Sequence, residues 1–173
     1  MGNEDGGFGI IISIRGEGVF TLAQHVSLRV VVKQTHDKEQ ISQLVYDGRD
    51  LGESVSAVWI EVAYVWKERY LLVFATGDCP FEETLYISMF DLQRKKLIDR
   101  PSIFMGRGVF QEYQIKEPST LYFMISDIGP FKVGVFDRPK FVFRTVLSKY
   151  FSTINRPFAQ KRYFGVVLSS KSI

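Results

Sequence analysis

Between Trp59 and Leu147 the chain repeats itself. The stretch YLLVFATGDCPFEETLYISMFD is echoed further on by TLYFMISDIGPFKVGVFD. Phe74 recurs as Phe123, Asp78 as Asp127, Pro80-Phe81 as Pro130-Phe131, and Phe90-Asp91 as Phe136-Asp137. A period of roughly fifty residues belongs to stacked or pseudo-symmetric β architectures. The echo therefore constrains the fold before it says anything about chemistry.

The runs inside each copy read as strands. Ala57–Trp66 (AVWIEVAYVW) turns at Lys67-Glu68-Arg69 into YLLVFAT, the loop GDCPFEE leads into TLYISMF, and DLQRKK turns into a short LID. The second copy follows the same order: VFQEYQI, the turn KEPS, TLYFMIS, the loop DIGP, FKVGVF, the turn DRPK, and FVFRTVL. Aromatic and β-branched residues bounded by Gly, Pro, Asp and Lys clusters signal a meander of antiparallel strands. Prolines in such a meander belong in turns, which places Pro118, Pro130 and Pro139. A weaker unit precedes the two copies, with strands at Phe8–Ile14, Val19–Leu22, Val26–Lys33 and Ser42–Tyr46. After Leu147 the pattern changes: SKYFSTINRPFAQK reads as a short helix or an irregular crossing, and RYFGVVLS as a final strand. No long helical periodicity occurs anywhere.

These readings predict an all-β protein of antiparallel meanders in two or three four-strand units. The expected architecture is a β-sandwich or sandwich-like barrel, with a pseudo-threefold β-trefoil or β-prism as the alternative. One domain covers residues 1–173, with units at about 8–47, 57–104 and 109–147, followed by a basic segment at 148–173. With 173 residues, 46% of them hydrophobic, the chain can bury a sizeable core.

Several function classes lack their signatures. The string GRGVF at 106–110 is not followed by the Lys-Ser/Thr of a phosphate loop, and the early GNEDGGFG precedes a strand when a dinucleotide fingerprint should follow one. There is no nucleophile elbow and no H-E-x-x-H motif. Cys79 is the only cysteine, so neither an intramolecular disulfide nor a four-cysteine zinc site can form. Its acidic neighbours Asp78, Glu82 and Glu83 disfavour a reactive thiolate. The two histidines, His25 and His36, suit a strand start and a polar loop better than a catalytic pair. Asp78, Glu82 and Glu83 in one loop, with Asp127 in its echo, form a possible ligand set of oxygen donors. Turn capping accounts for Asp78 and Asp127 more simply. No metal, cofactor or catalytic set is expected, and the chain is read as non-enzymatic.

No apolar run reaches the ~18 residues that span a bilayer. Acidic residues stand where a secretory leader needs basic ones, so the cytoplasm is the expected compartment, or the periplasm if a leader has been removed.

Charge carries the functional signal. Residues 1–137 hold 14 basic and 19 acidic side chains, a formal charge of −5. Residues 138–173 hold 8 basic side chains and no acid, interleaved with aromatics. Lys149, Tyr150, Arg156, Lys161, Arg162 and Tyr163 are the expected partner-binding residues. A basic, aromatic segment complements an acidic protein surface. Nucleic acid is the weaker alternative, since no nucleic-acid motif accompanies the charge. The expected function is a non-catalytic binding module that engages another protein. A compact β body with one charged surface resembles, in kind and not by motif, small inhibitory proteins of the antitoxin or immunity type. A lectin-like module using the Asp78 and Asp127 loops is the other alternative.

Overall fold

The run YLLVFAT at 70–76 is apolar at nearly every position instead of alternating, a pattern a strand sustains only when both faces are covered. A computed structural model, which describes residues 20–32, 41–77, 83–141, 154–155 and 161–169, shows that cover. The chain runs through β1 (Phe20–Leu22), β2 (Val26–Val32), β3 (Ile41–Tyr46), β4 (Arg49–Val55), β5 (Trp59–Trp66), β6 (Tyr70–Thr76) and β7 (Glu83–Asp91). It continues through β8 (Lys96–Asp99), β9 (Ser102–Gly106), β10 (Phe110–Glu117), β11 (Thr120–Ile125), β12 (Gly129–Phe141), β13 (Ile154–Asn155) and β14 (Lys161–Leu168). The described residues contain no helix.

These strands form three antiparallel sheets. A seven-stranded sheet has the order β1-β5-β6-β7-β9-β13, with β8 added to β7. A four-stranded sheet has the order β10-β11-β12-β14, and a three-stranded sheet the order β2-β3-β4. Side chains on opposite sides of the large sheet enter two separate cores. Val62, Tyr64, Trp66, Leu72 and Phe74 pack with Leu121, Phe123, Phe131, Val133 and Phe164 of the four-stranded sheet. Ala63, Leu71, Val73 and Ala75 pack with Leu44, Leu51 and Val55 of the three-stranded sheet. The large sheet is thus the middle of a layered, sandwich-like all-β arrangement, not closed into a barrel. Sheets of seven, four and three strands do not form three equal units about a threefold axis.

Each echo copy contains a three-strand antiparallel meander, β5-β6-β7 in the middle sheet and β10-β11-β12 in the four-stranded one. The two face each other across a shared core. Phe74 and its echo Phe123 meet ring to ring at 5.4 Å in an edge-to-face contact, and Phe123 stacks on Phe131 at 5.2 Å. Such aromatic pairs contribute ~0.5–1.5 kcal/mol beyond the area they bury.

Two local readings change. The polar run RDLGESV is β4, where only Leu51 and Val55 are buried. Asp50 Oδ1 accepts the Gly52 N–H at 2.7 Å, and Gly52 takes the left-handed φ of +76° that favours glycine. The second difference is the string DRPK, which does not turn the chain back. Strand β12 runs through it to Phe141, still paired with β14, and the register jumps from Val135↔Phe164 to Lys140↔Arg162. Residues 136–139 bulge out opposite Tyr163 alone. Proline fits there because a bulge removes the demand for its missing N–H. Pro130 likewise lies inside β12, paired with Met124, with its carbonyl accepting the Ser169 N–H at 2.7 Å. The first expected strand at Phe8–Ile14 and the stretch from 142 to 153 lie outside the described residues.

Candidate functional site

The bulge stands opposite the β5–β6 turn, joined to it by the contact of Lys67 with Asp137. Lys67 and Glu68 have φ of 53° and 51°, and the Arg69 N–H closes the turn onto the Trp66 carbonyl at 3.3 Å. Two successive non-glycine residues in the left-handed region cost on the order of 1 kcal/mol each. Their neighbours hold the conformation. Lys67 Nζ sits 4.5 Å from the Trp66 ring centre and 2.6 Å from Asp137 Oδ1. Arg69 lies over the Tyr70 ring at 5.0 Å and reaches Asp91 Oδ2 through Nη2 at 2.8 Å and Nε at 3.3 Å.

One turn therefore grips both members of the echoed aspartate pair, and their environments differ. The Asp91 side chain is 3% exposed, and its Oδ1 also accepts the N–H groups of Gln93 and Arg94, both at 3.1 Å. Burial alone would raise the Asp91 pKa. The hydrogen bond from Arg69, then those of the Arg94 and Gln93 backbone together with the Arg69 charge, outweigh it, so the carboxyl lies below its ordinary range. The Asp137 side chain is 83% exposed and hangs over a shallow hollow of about 10 Å³, the room one water molecule needs. Trp66, Tyr70, Val135, Phe136, Pro139 and Tyr163 help to line it. That is far below the ~300 Å³ at which small-molecule and cofactor pockets begin.

Beyond the hollow, the paired ends of β12 and β14 form a basic ribbon. Arg138, Lys140, Phe141 and Lys161 are exposed, while Arg162 and Tyr163 are half-buried. Lys140 Nζ lies 4.1 Å from the Phe136 ring centre and Lys161 Nζ 5.4 Å from that of Phe141. Tyr163 anchors the ribbon to the middle sheet. Its ring is 6.4 Å from that of Tyr70, and its N–H donates to Asp99 Oδ2 at 2.9 Å.

Of the expected partner-binding residues, Lys161, Arg162 and Tyr163 are consecutive at the start of β14, while Lys149, Tyr150 and Arg156 lie outside the described residues. Of the expected ligand loops, Asp78 and Glu82 also lie outside them. Glu83 opens β7, paired with Gly106, and Asp127 occupies the β11–β12 turn with φ of 65°. That turn is closed by the Ile128 N–H on the Ile125 carbonyl, and an aspartate tolerates its left-handed position better than most residues. Among the described residues no group of three or more His, Cys, Asp or Glu could hold a metal ion. No helix of the described residues is long and apolar enough to cross a membrane.

The sequence reading did not single out Lys67, Asp137, Arg138 and Lys140 as site residues. Asp137 was visible as the echo of Asp91, and Arg138 and Lys140 as the start of the acid-free stretch. Nothing local marks Lys67, which joins the site through a contact between residues 70 positions apart. No protein-family model, curated protein or solved structure matches the chain.

Proposed function

We propose that the protein is a non-catalytic binding module whose β12–β14 ribbon engages an acidic surface on another protein. The observation that carries this reading is the ribbon itself: Arg138, Lys140 and Lys161 exposed on two paired strands, with two of these cations braced on aromatic rings. A cation held over an aromatic face loses less freedom when an anion arrives, and the exposed Phe141 adds apolar contact area. The formal charge of −5 on residues 1–137 favours a compact acidic patch over a long polyanion, which would also run across the acidic body. An inhibitory role of the antitoxin or immunity type is the biological form this reading takes.

The test is capture of a partner by the full chain, with Lys161→Glu and Arg162→Glu introduced together. The reading expects one stoichiometric acidic protein that is lost on the double reversal. Retention of the partner by the reversed chain overturns it. Equally strong, salt-sensitive binding of generic single-stranded DNA or RNA would assign the ribbon to nucleic acid.

A further inference from the structure

We infer that the acid-recognition surface crosses from the four-stranded sheet onto the middle sheet: Lys67 belongs to it, and Asp137 occupies Lys67 in place of a partner carboxylate until one arrives. The inference rests on the proposed reading of the ribbon and adds a second element to it, together with an internal competitor.

Three observations converge on it. Lys67 reaches the bulge from the β5–β6 turn, so a cation of one sheet stands beside the cations of another. It has a second contact besides Asp137, with the Trp66 ring 4.5 Å from its nitrogen, on a turn whose backbone is left-handed. Asp137 is the single acid in the run from Phe136 to Phe141, and its side chain is 83% exposed. An ion pair that open to water holds its partners weakly, so an incoming carboxylate can exchange with it at little cost. The bulge strengthens the argument. Residues 136–139 stand out from the ladder opposite Tyr163, so Asp137 is released from sheet pairing and can swing away without breaking a strand. Beneath the pair lies only the water-sized hollow edged by Trp66, Tyr70 and Val135, so recognition there rests on the charges. The partner chemistry is thus an acidic segment, spanning Lys67 on one side and Lys140 and Lys161 on the other.

The experiment uses the full chain and a short fluorescein-labelled acidic peptide, hexa-L-glutamate, followed by anisotropy at low ionic strength. Asp137→Asn should tighten binding about fivefold, the scale of one exposed ion pair. Asp127→Asn, which removes the same charge from a distant turn, should change it less than twofold. Lys67→Ala should have little effect in the wild type, where Asp137 already occupies Lys67, and should remove the gain in the Asp137→Asn background. Equal gains from the two asparagine variants, with the same Lys67→Ala loss in both backgrounds, would reduce the effect to net charge and overturn the inference. The ribbon reading would survive that result provided Lys161→Glu with Arg162→Glu still abolished binding. If the wild type bound no hexa-L-glutamate at all, both would fall.

Discussion

Asp91 and Asp137 occupy echoed positions in the two meanders, late in β7 and late in β12, and each grips a cation of the same turn. Asp91 is enclosed, takes a two-point contact from Arg69 and two backbone N–H bonds, and serves as part of the frame. Asp137 hangs in water on a bulge with a single contact to Lys67. The difference comes from the layers around them. β7 lies in the middle sheet, covered on both faces, whereas β12 leaves its core at Val135, and residues 137–141 are exposed. The same sequence element becomes structural where it is buried and exchangeable where it is wet.

The largest expected effect comes from breaking the core that the two meanders share. Phe123→Ala removes the ring that contacts Phe74, Phe110 and Phe131, and should cost about 4 kcal/mol in chemical denaturation. A loss below about 1 kcal/mol would mean the two sheets are not packed through this residue.

Asp91→Asn tests the enclosed member of the pair. Loss of one partner of a fully buried pair costs ~3–5 kcal/mol, but Arg69 is 37% exposed and Asn still accepts the turn N–H bonds, so about 2 kcal/mol is expected. For a chain of this size that lowers Tm by roughly 4–8 °C. Acid titration sharpens the point. A carboxyl with a lowered folded pKa contributes stability that is fully present above its unfolded value near ~3.9 and is lost as pH falls through the folded value. The gap between wild type and Asp91→Asn should therefore be constant near neutrality and close below about pH 4. A gap that stayed constant down to pH 2 would show that the Asp91 charge contributes nothing.

Asp137→Asn is expected to do least to stability, about 1 kcal/mol at most by thermal or denaturant unfolding. Its consequence should appear in acid-ligand affinity instead. A stability loss comparable to that of Asp91→Asn would erase the contrast between the two aspartates.

Much of this was legible from local pattern. The alternation in AVWIEVAYVW, the short LID and the final RYFGVVLS mark β5, β8 and β14, and the echo aligns β6 with β11 through Phe74 and Phe123. Strand β4 escaped because two buried residues in RDLGESV leave too little alternation to see. DRPK looked like a turn because Asp, Pro and Lys are turn formers; cross-strand pairing of Lys140 and Phe141 with β14 holds the chain straight on. Lys161, Arg162 and Tyr163 could be picked out because they lie in an acid-free stretch. Lys67, flanked by Glu68 and Arg69, could not.

By itself, then, the sequence determined that the chain is all-β, that its meanders are antiparallel, and that its basic charge gathers after Asp137. Residue periodicity and composition are local properties and need no partner strand to be read. Only the tertiary structure decided that YLLVFAT is a central strand between two cores and that one turn serves both echoed aspartates. It alone placed Lys67 beside the ribbon. Those outcomes depend on which faces are covered and which remote strands lie side by side, and packing sets them over separations such as the 70 residues between Lys67 and Asp137.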